Sequence, residues 1–306
     1  MIQAPISNIS TNRRYLSIFF IVATILLLLA TVHISREGVP EVIKSSPAWK
    51  YASNGGASDA PAQAPKPGHY YSGKQDNRPL FAELAANSGT DKVTDHNYAV
   101  LYDKYLPAFR DTDVKMLEIG LGCGMRYGPG ASYETWIKYF PQVEMNLIEF
   151  DGTCATDWGS KHPKANVFIG DQSNAPFLHE VGREVTADRL VDILVDDGGH
   201  TMAQQRTSLV ELWQYVRPGG IYIVEDLHTS YLSGWGGDPT KTDHGLARQT
   251  TMQFIYELLD DIMSQPAYNY HFEDIPAAKY AFSSEISSID CMEAMCVLTK
   301  KEIGAR

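Results

Sequence analysis

The sequence predicts an α/β fold with a doubly wound, mostly parallel β-sheet, and three observations lead to this prediction. Short apolar runs alternate with helix-like stretches over residues 114–224. The first apolar run ends in a glycine-rich loop, Gly120 to Gly124. Polar and acidic side chains follow the ends of the later runs, which is where open α/β sheets bind their ligands.

Composition limits the classes of protein to consider. The chain has 306 residues, 44% of them apolar, so it has enough apolar side chains for a large core. Its formal net charge of -11 argues against a nucleic-acid partner. Four cysteines are too few for a disulfide framework in a chain of this length. Cys291 and Cys296 either bridge a hairpin in an oxidising compartment or stay buried as thiols, and the sequence favours neither.

An uncharged apolar segment near the N-terminus is long enough to span a bilayer. We predict a tail over 1–14, a transmembrane helix over 15–34, a flexible, disordered stem over 35–75 and a folded domain over 76–306. A cleavable signal peptide is the alternative. This organisation predicts a single-pass membrane protein of an endomembrane. The flanking basic residues leave open the side on which the domain lies.

Five short apolar runs are predicted to form the parallel part of the sheet. Because helical stretches separate them, they imply βαβ units. The predicted strands are Val114–Ile119, Glu144–Phe150, Ala165–Ile169, Leu190–Val195 and Ile221–Val224.

Helical stretches precede and separate these strands. One begins at Ser132, a residue type suited to capping a helix. Another is amphipathic, with Leu209 and Leu212 on one face, and Gly219 and Gly220 follow its end. The predicted helices are Pro79–Ala86, Tyr98–Phe109, Ser132–Phe140 and Ala203–Val216.

After the fifth strand the alternation stops. Residues 228–245 are glycine-rich and polar, and they form either a lid of the kind that covers active sites or an ordinary surface loop. A helix is predicted over Leu246–Met263. The last two predicted strands are Lys279–Ser288 and Met295–Lys300.

The loop after the first strand carries the first motif of chemical interest. Glu118 ends the strand, and Gly120, Gly122 and Gly124 follow in Gly-x-Gly-x-Gly spacing. A dinucleotide-binding fingerprint would need its third glycine where this chain has Met125. The motif therefore resembles the first motif of class I S-adenosylmethionine (SAM) methyltransferases. We expect these three glycines and Glu118 to contact SAM.

The next two strand ends carry further candidate cofactor contacts. Glu149 ends the second strand, where an acid can accept hydrogen bonds from both ribose hydroxyls. Asp171 and Gln172 follow the third strand, and a carboxylate there can accept from an adenine amino group. Either acid alone would be read as a solvated loop carboxylate. Together with the glycine loop, in this order, they predict a SAM site.

Four carboxylates lie at the ends of the fourth and fifth strands, where they would repel one another if all were ionised and unpaired. A bound Mg²⁺ would resolve the repulsion, and Asp197, Glu225 and Asp226 are the predicted ligands. Asp196 is assigned to hydrogen bonds with the loop. His200 follows Asp197 by three residues, a position that suits a general base beside a metal-bound hydroxyl.

Taken together, these motifs resemble the macrolide-sugar O-methyltransferases of the mycinamicin and macrocin type and the related rhamnosyl O-methyltransferases. The resemblance covers about residues 89–232. It implies a Rossmann-like class I methyltransferase fold with antiparallel C-terminal strands, and the ligands and base given above. The segments that carry it are Thr90–Lys92, His96–Tyr98, Gly130–Tyr133, Gly170–Gln172, Asp197–His200 and Arg217–Asp226.

The chain departs from that family in three ways. It has Gly199 where the family commonly has serine, it lacks a large N-terminal domain that some members have, and it carries the predicted anchor and stem. The anchored organisation is similar to fungal membrane-tethered methyltransferase-like proteins. These departures leave the acceptor and the oligomeric state open.

The sequence therefore predicts a SAM-dependent, Mg²⁺-dependent O-methyltransferase. Its predicted partners are a small hydroxyl-bearing acceptor, such as a sugar or glycosylated secondary metabolite, and the membrane. A catechol- or phenol-type O-methyltransferase is the alternative enzyme. A non-catalytic, membrane-tethered binding protein that retains the SAM fold is the alternative from another class.

Overall fold

The computed structural model describes residues 76–240, 249–264 and 277–302, and a seven-stranded mixed sheet forms the centre of this region. Five parallel strands are followed in the chain by an antiparallel pair. The strands are β1 (Lys115–Ile119), β2 (Glu144–Glu149), β3 (Ala165–Ile169), β4 (Val191–Asp196), β5 (Val216–Val224), β6 (Ile286–Met292) and β7 (Met295–Lys300).

Seven α-helices accompany the sheet within the described residues. They are α1 (Phe81–Ala85), α2 (Ala99–Tyr105), α3 (Ala131–Tyr139), α4 (Gly152–Lys161), α5 (Ala175–Val185), α6 (Met202–Leu212) and α7 (Thr251–Ser264). Short 3-10 turns cover Asp91–Val93, Leu106–Phe109, Trp213–Tyr215, Leu227–Tyr231, Ser233–Trp235 and Ala281–Glu285.

The strand order is β3-β2-β1-β4-β5-β7-β6, so the chain reverses direction across the sheet between β3 and β4. The carboxyl ends of β1 and β4 are neighbours at this reversal, where open α/β sheets bind ligands. Antiparallel pairing of β7 with β5 and β6 confirms the predicted antiparallel C-terminal strands. The predicted doubly wound sheet is also confirmed.

Apolar side chains cover both faces of the sheet. Met116 packs in a cluster with residues of α1, α2 and α3, whereas the adjacent Leu117 packs in a second cluster with residues of α5, α6 and α7. Successive residues of a strand point to opposite faces, so these two clusters are the two layers of the core. This burial on both faces explains why the parallel strands are nearly continuous apolar runs.

Two helices, α4 and α5, are missing from the sequence-based prediction. Asp151 caps α4 by accepting from the backbone N–H groups of Thr153 and Cys154, and Asn174 caps α5 by accepting from that of Phe177. Only two side chains of α4, Ala155 and Trp158, are buried, so its apolar pattern is weak. Local capping and packing on the sheet therefore decide where α4 forms.

Several element boundaries also differ from the prediction. The cap of α3 is Gly130 rather than Ser132. Strand β5 begins at Val216, which was predicted to be the last residue of the helix Ala203–Val216. Strand β6 begins at Ile286, because a 3-10 turn occupies Ala281–Glu285. The predicted lid lies partly outside the described residues, and 3-10 turns occupy much of its described portion.

Membrane localisation is the prediction that fails. No helix within the described ranges is long and apolar enough to cross a bilayer. On this finding, the prediction of a single-pass protein of an endomembrane, with the membrane as a partner, is wrong. The predicted tail, transmembrane helix (15–34) and stem (35–75) lie outside the described residues, and their boundaries stay predictions.

Two disulfides tie parts of the domain together, and no described cysteine is free. Cys291–Cys296 closes the β6–β7 hairpin, so these cysteines form a disulfide and are not two buried thiols. Cys123–Cys154 was not predicted and joins the glycine loop after β1 to the first turn of α4. The loops that follow β1 and β2 are therefore covalently linked.

We expect the two disulfides to contribute unequally to stability. They close loops of 31 and 5 residues, and loop-closure entropy gives roughly 3.7 and 2 kcal/mol for these lengths. Urea unfolding should show the greater loss for Cys123→Ser/Cys154→Ser, with Cys291→Ser/Cys296→Ser as the matched control. An equal or smaller loss for the first pair would contradict this expectation.

Candidate functional site

A cavity of about 250 Å³ opens at the carboxyl ends of β1 to β5. The predicted site residues that line it are Gly120, Gly122, Glu149, Gln172, Asp197, His200 and Asp226. The predicted site residues outside its lining are Glu118, Gly124, Asp171 and Glu225. The structure thus brings seven of the predicted residues into one cavity.

The glycine loop enters the cavity because its first residue has no side chain. Gly120 has a φ of +100°, and a Cβ at this position would lie 2.0 Å from the backbone oxygen of Asp197. The loop is held by two backbone donors. Gly120 N–H donates to the Ile148 carbonyl at 2.8 Å, and Leu121 N–H donates to Glu149 Oε2 at 3.0 Å. The ends of β1, β2 and β4 are thereby fixed together.

Glu118 lies beneath this loop and is completely buried. Its Oε2 accepts from Ser132 Oγ at 2.9 Å and from Trp136 Nε1 at 3.0 Å. Its Oε1 is buried without a hydrogen-bond partner, 3.8 Å from Lys92 Nζ. Burial raises the pKa of Glu118 to about 7, although Lys92 acts in the opposite direction. Glu118 therefore braces α3 against the loop from below.

The residues after β2 form one wall of the cavity. Glu149 Oε1 accepts from Asp151 N–H at 2.9 Å, so this carboxylate is already fixed in orientation. Phe150, which was not predicted, lines the cavity with 72% of its surface exposed. An exposed aromatic ring beside an acid in this loop offers a flat apolar surface to a planar ligand. The sequence signal that could have identified Phe150 as a site residue was its position directly after Glu149.

Asp171 and Gln172, which follow β3, both have hydrogen-bond partners within the protein. Asp171 Oδ1 accepts from Ser173 N–H at 2.8 Å, and Asp171 lies outside the cavity lining. Gln172 Nε2 donates to Asp196 Oδ1 at 2.9 Å, while its Oε1 accepts from Gly199 N–H at 2.7 Å. Gln172 thus supports the loop after β4. A direct contact of Asp171 with adenine stays a prediction.

Three side chains at the ends of β4 and β5 gather at the cavity. Asp197, His200 and Asp226 each offer one ligand atom, and these atoms lie within 4.8 Å of one another. His200 Nε2 is 3.2 Å from Asp226 Oδ2. Both His200 and Asp226 have left-handed backbones, with φ of 57° and 55°. Such conformations cost free energy in residues other than glycine and concentrate at functional sites.

Asp226 has further partners on its other side. Tyr98 OH donates to Asp226 Oδ1 at 2.5 Å, and His96 Nε2 lies 3.5 Å from the same oxygen. Burial acts to raise the pKa of Asp226, but His200, Tyr98 and His96 outweigh it and hold the pKa below its usual value. Asp226 is therefore held as a carboxylate.

Glu225 is buried and lies outside the cavity lining. Its Oε2 accepts from Lys92 Nζ at 2.7 Å, and its Oε1 accepts from Tyr102 OH. Lys92 Nζ also contacts Asp197 Oδ2 at 2.5 Å. Burial acts to lower the pKa of Lys92, but Asp197 and Glu225 hold it well above its usual value. Glu225 as a metal ligand stays a prediction.

The three residues Lys92, Tyr98 and Tyr102 were not predicted to belong to the site. They come from the segment before β1 and contact acids more than 100 positions away in the sequence. The sequence signal for Lys92 and Tyr98 was present in Thr90–Lys92 and His96–Tyr98, segments that carry the family resemblance without an assigned role, whereas Tyr102 lies in neither segment.

Comparison with known proteins finds relatives among O-methyltransferases. The chain is 31% identical over 191 residues to mycinamicin VI 2''-O-methyltransferase of Micromonospora griseorubida, covering 61% of this chain and 45% of that protein. It is 32% identical over 184 residues to 8-demethyl-8-(2-methoxy-alpha-L-rhamnosyl)-tetracenomycin-C 3'-O-methyltransferase of Streptomyces olivaceus, covering 60% and 45%. The chain thus spans about half the length of these curated relatives. No family model matches it.

A solved structure gives the same relationship. The MycE methyltransferase of the mycinamycin biosynthetic pathway, in complex with Mg and SAH, matches with a TM-score of 0.61 and 25% sequence identity, covering 74% of this chain and 56% of that chain. The domain therefore has the class I methyltransferase fold and is related to the macrolide-sugar O-methyltransferases, as the motifs predicted. The fungal-like, membrane-anchored form is not supported.

The raised pKa of Glu118 predicts how stability depends on pH. The pKa is about 7 in the folded protein against an ordinary value of 4.5, so the folded state binds this proton more tightly. The contribution to stability is complete below pH 4.5 and is lost as the pH rises through 7. Across this window Glu118→Gln should remove about 3 kcal/mol of pH dependence from the free energy of unfolding.

This difference is measured by urea unfolding between pH 4.5 and 8 in EDTA. Glu184→Gln removes an exposed carboxylate and is the control, since its profile should follow that of the wild-type chain. Parallel profiles for Glu118→Gln and the wild-type chain would show that Glu118 keeps an ordinary pKa.

Proposed function

We propose that this chain is a SAM-dependent O-methyltransferase that uses Mg²⁺ to methylate a hydroxyl of a sugar or glycosylated secondary metabolite. One observation carries the proposal: a single cavity joins the glycine loop and Glu149 to the cluster of Asp197, His200 and Asp226. The relationship to O-methyltransferases of macrolide and rhamnosyl substrates supports the same reaction class.

SAM is proposed to bind with its adenosine along β1 and β2. The cavity offers the Gly120–Gly122 backbone, the fixed carboxylate of Glu149 and the exposed ring of Phe150. A carboxylate here accepts from ribose hydroxyls, and an aromatic face packs against a base. Glycine in the loop leaves room for a ligand close to the backbone. The donor set therefore fits a nucleoside.

The proposed Mg²⁺ ligands are Asp197, Glu225 and Asp226. Carboxylate oxygens suit this hard cation, and two of the three acids line the cavity. Glu225 shares the Lys92 ammonium with Asp197, which keeps it next to them. When bound, Mg²⁺ would lower the pKa of an acceptor hydroxyl and fix its orientation.

His200 is proposed as the general base. It lies at the cavity with Nε2 close to Asp226, so a proton taken up by the imidazole would be stabilised by that carboxylate. The left-handed backbone of His200 holds the ring at this place, and Thr229 Oγ1 donates to the His200 carbonyl at 2.9 Å. General-base assistance of this kind contributes about 10²–10⁴ in rate.

The cofactor assignment is tested by calorimetric titration of SAM into the 306-residue chain, with NAD as the comparison ligand. We expect SAM to bind and NAD not to bind. Glu149→Gln should weaken SAM binding at least tenfold, because a hydrogen bond to a charged group contributes about 1.5–3 kcal/mol.

Glu184→Gln is the matched control and should bind SAM as the wild-type chain does, because its carboxylate is exposed outside the cavity. No SAM binding by a folded chain would refute the proposed function.

The reaction is tested by transfer of methyl groups from SAM to a vicinal-diol sugar and, in parallel, to a catechol. We expect transfer to the sugar, loss of transfer in EDTA and recovery with Mg²⁺. His200→Gln should lower kcat about 100-fold or more while SAM affinity stays within threefold, because the base does not bind SAM.

A His200→Gln variant with kcat within a few-fold of the wild-type value would exclude His200 as the base. Transfer to the catechol alone would change the acceptor class. SAM binding without transfer to either acceptor would favour the alternative of a non-catalytic binding protein that retains the SAM fold.

A further inference from the structure

Lys92 is a lysine without any solvent exposure in a cluster of acids. Its Nζ lies 2.5 Å from Asp197 Oδ2, 2.7 Å from Glu225 Oε2 and 3.8 Å from Glu118 Oε1. Lysines are almost never fully buried unless they are paired, because the desolvation cost of the ammonium must be offset. Here one ammonium is in contact with carboxylates from the ends of three strands.

The backbone around Lys92 is fixed independently of these acids. Lys92 is in the 3-10 turn Asp91–Val93, and its carbonyl accepts from Tyr98 N–H at 3.0 Å. Thr90 caps the turn through its side-chain oxygen. The ammonium is therefore delivered to the acids by a preformed turn.

Lys92 offsets part of the negative charge that surrounds it. Glu118, Asp197, Glu225 and Asp226 bring four carboxyl groups together, and Lys92 is the one lysine or arginine that pairs with Asp197 or Glu225 among the described residues. Like charges at these distances repel strongly in a buried site. If Lys92 were neutral, another cation or additional protons on the acids would be needed to relieve this repulsion.

We propose that Lys92 is the resident cation of this acidic cluster, a positioning residue that holds Asp197 and Glu225 together when no divalent cation is present. Its positive charge also opposes a divalent cation on the same acids, so Lys92 sets the affinity of the site for Mg²⁺. The inference rests on the proposed Mg²⁺ site. It gives a role to the Thr90–Lys92 segment, which the proposed chemistry does not use.

The proposal predicts opposite effects on the empty and the loaded site. Without the Lys92 charge, Asp197 and Glu225 repel each other, which destabilises the protein in EDTA. The same acids then attract a divalent cation more strongly, because a competing positive charge has been removed. A purely structural lysine would instead weaken Mg²⁺ binding when it is removed, since the ligands would lose their alignment.

The experiment compares the 306-residue wild-type chain with Lys92→Met, which keeps the length of the side chain and removes the charge. We expect the thermal midpoint of Lys92→Met in EDTA to fall by about 10 °C, as for a broken buried ion pair. Calorimetric titration of MgCl₂ alone should show at least tenfold tighter binding, about 1.4 kcal/mol.

Lys115→Met is the matched control. Lys115 is also buried and paired, with Glu144 and Asp188, but lies at the other end of β1 outside the cavity lining. Its substitution should lower the thermal midpoint and leave the Mg²⁺ affinity within twofold of the wild-type value. Tightening by both substitutions would show a general effect of lost charge and would overturn the proposal.

A thermal midpoint of Lys92→Met in EDTA that equals the wild-type value also overturns the proposal. Unchanged or weaker Mg²⁺ binding by Lys92→Met overturns it, while Mg²⁺ binding by the wild-type chain keeps the proposed metal site intact. If neither chain binds Mg²⁺, both the metal site and the inference fail. If Lys92→Met is unfolded in EDTA, circular dichroism follows its refolding with MgCl₂: recovery supports the proposal, and no recovery at 100 mM overturns it.

Discussion

Repulsion between carboxylates is the constraint on which the rest of this site depends. Parallel strands end at one edge of the sheet, so the acids that end β1, β4 and β5 are brought together by the topology itself. One buried ammonium, that of Lys92, lies between Glu118, Asp197 and Glu225. Because a buried unpaired charge is so costly, the contacts of this lysine fix how the acids are arranged.

The segment before β1 is consequently part of the site. Lys92, Tyr98 and Tyr102 reach the acids from one side, and the tyrosines donate to Asp226 and Glu225. The two neighbouring acids differ in their surroundings: Glu225 is buried against Lys92 and Tyr102, whereas Asp226 lines the cavity. Without this segment, Asp197 and Glu225 would lose the ammonium that pairs with both of them.

The side of the cavity where SAM is proposed to bind is constrained by different means. There the backbone approaches closely at Gly120, the carboxylate of Glu149 accepts from the glycine loop, and Cys123–Cys154 joins that loop to α4. These contacts fix two adjacent loops before any ligand binds, which reduces the ordering cost of binding. The cavity thus has one wall of preorganised loops and a second, acidic wall, where Lys92 offsets part of the negative charge.

The sequence by itself determined the parallel strands, the glycine loop and the acids at the strand ends, because strand periodicity and loop chemistry are local properties. It did not reveal α4, the Cys123–Cys154 bridge or the position of Asp171 outside the cavity. Only the tertiary structure decided that Lys92 lies among the acids. Its partners Asp197 and Glu225 are 105 and 133 positions away, and contacts at that distance depend on strand order and packing, which local patterns do not encode.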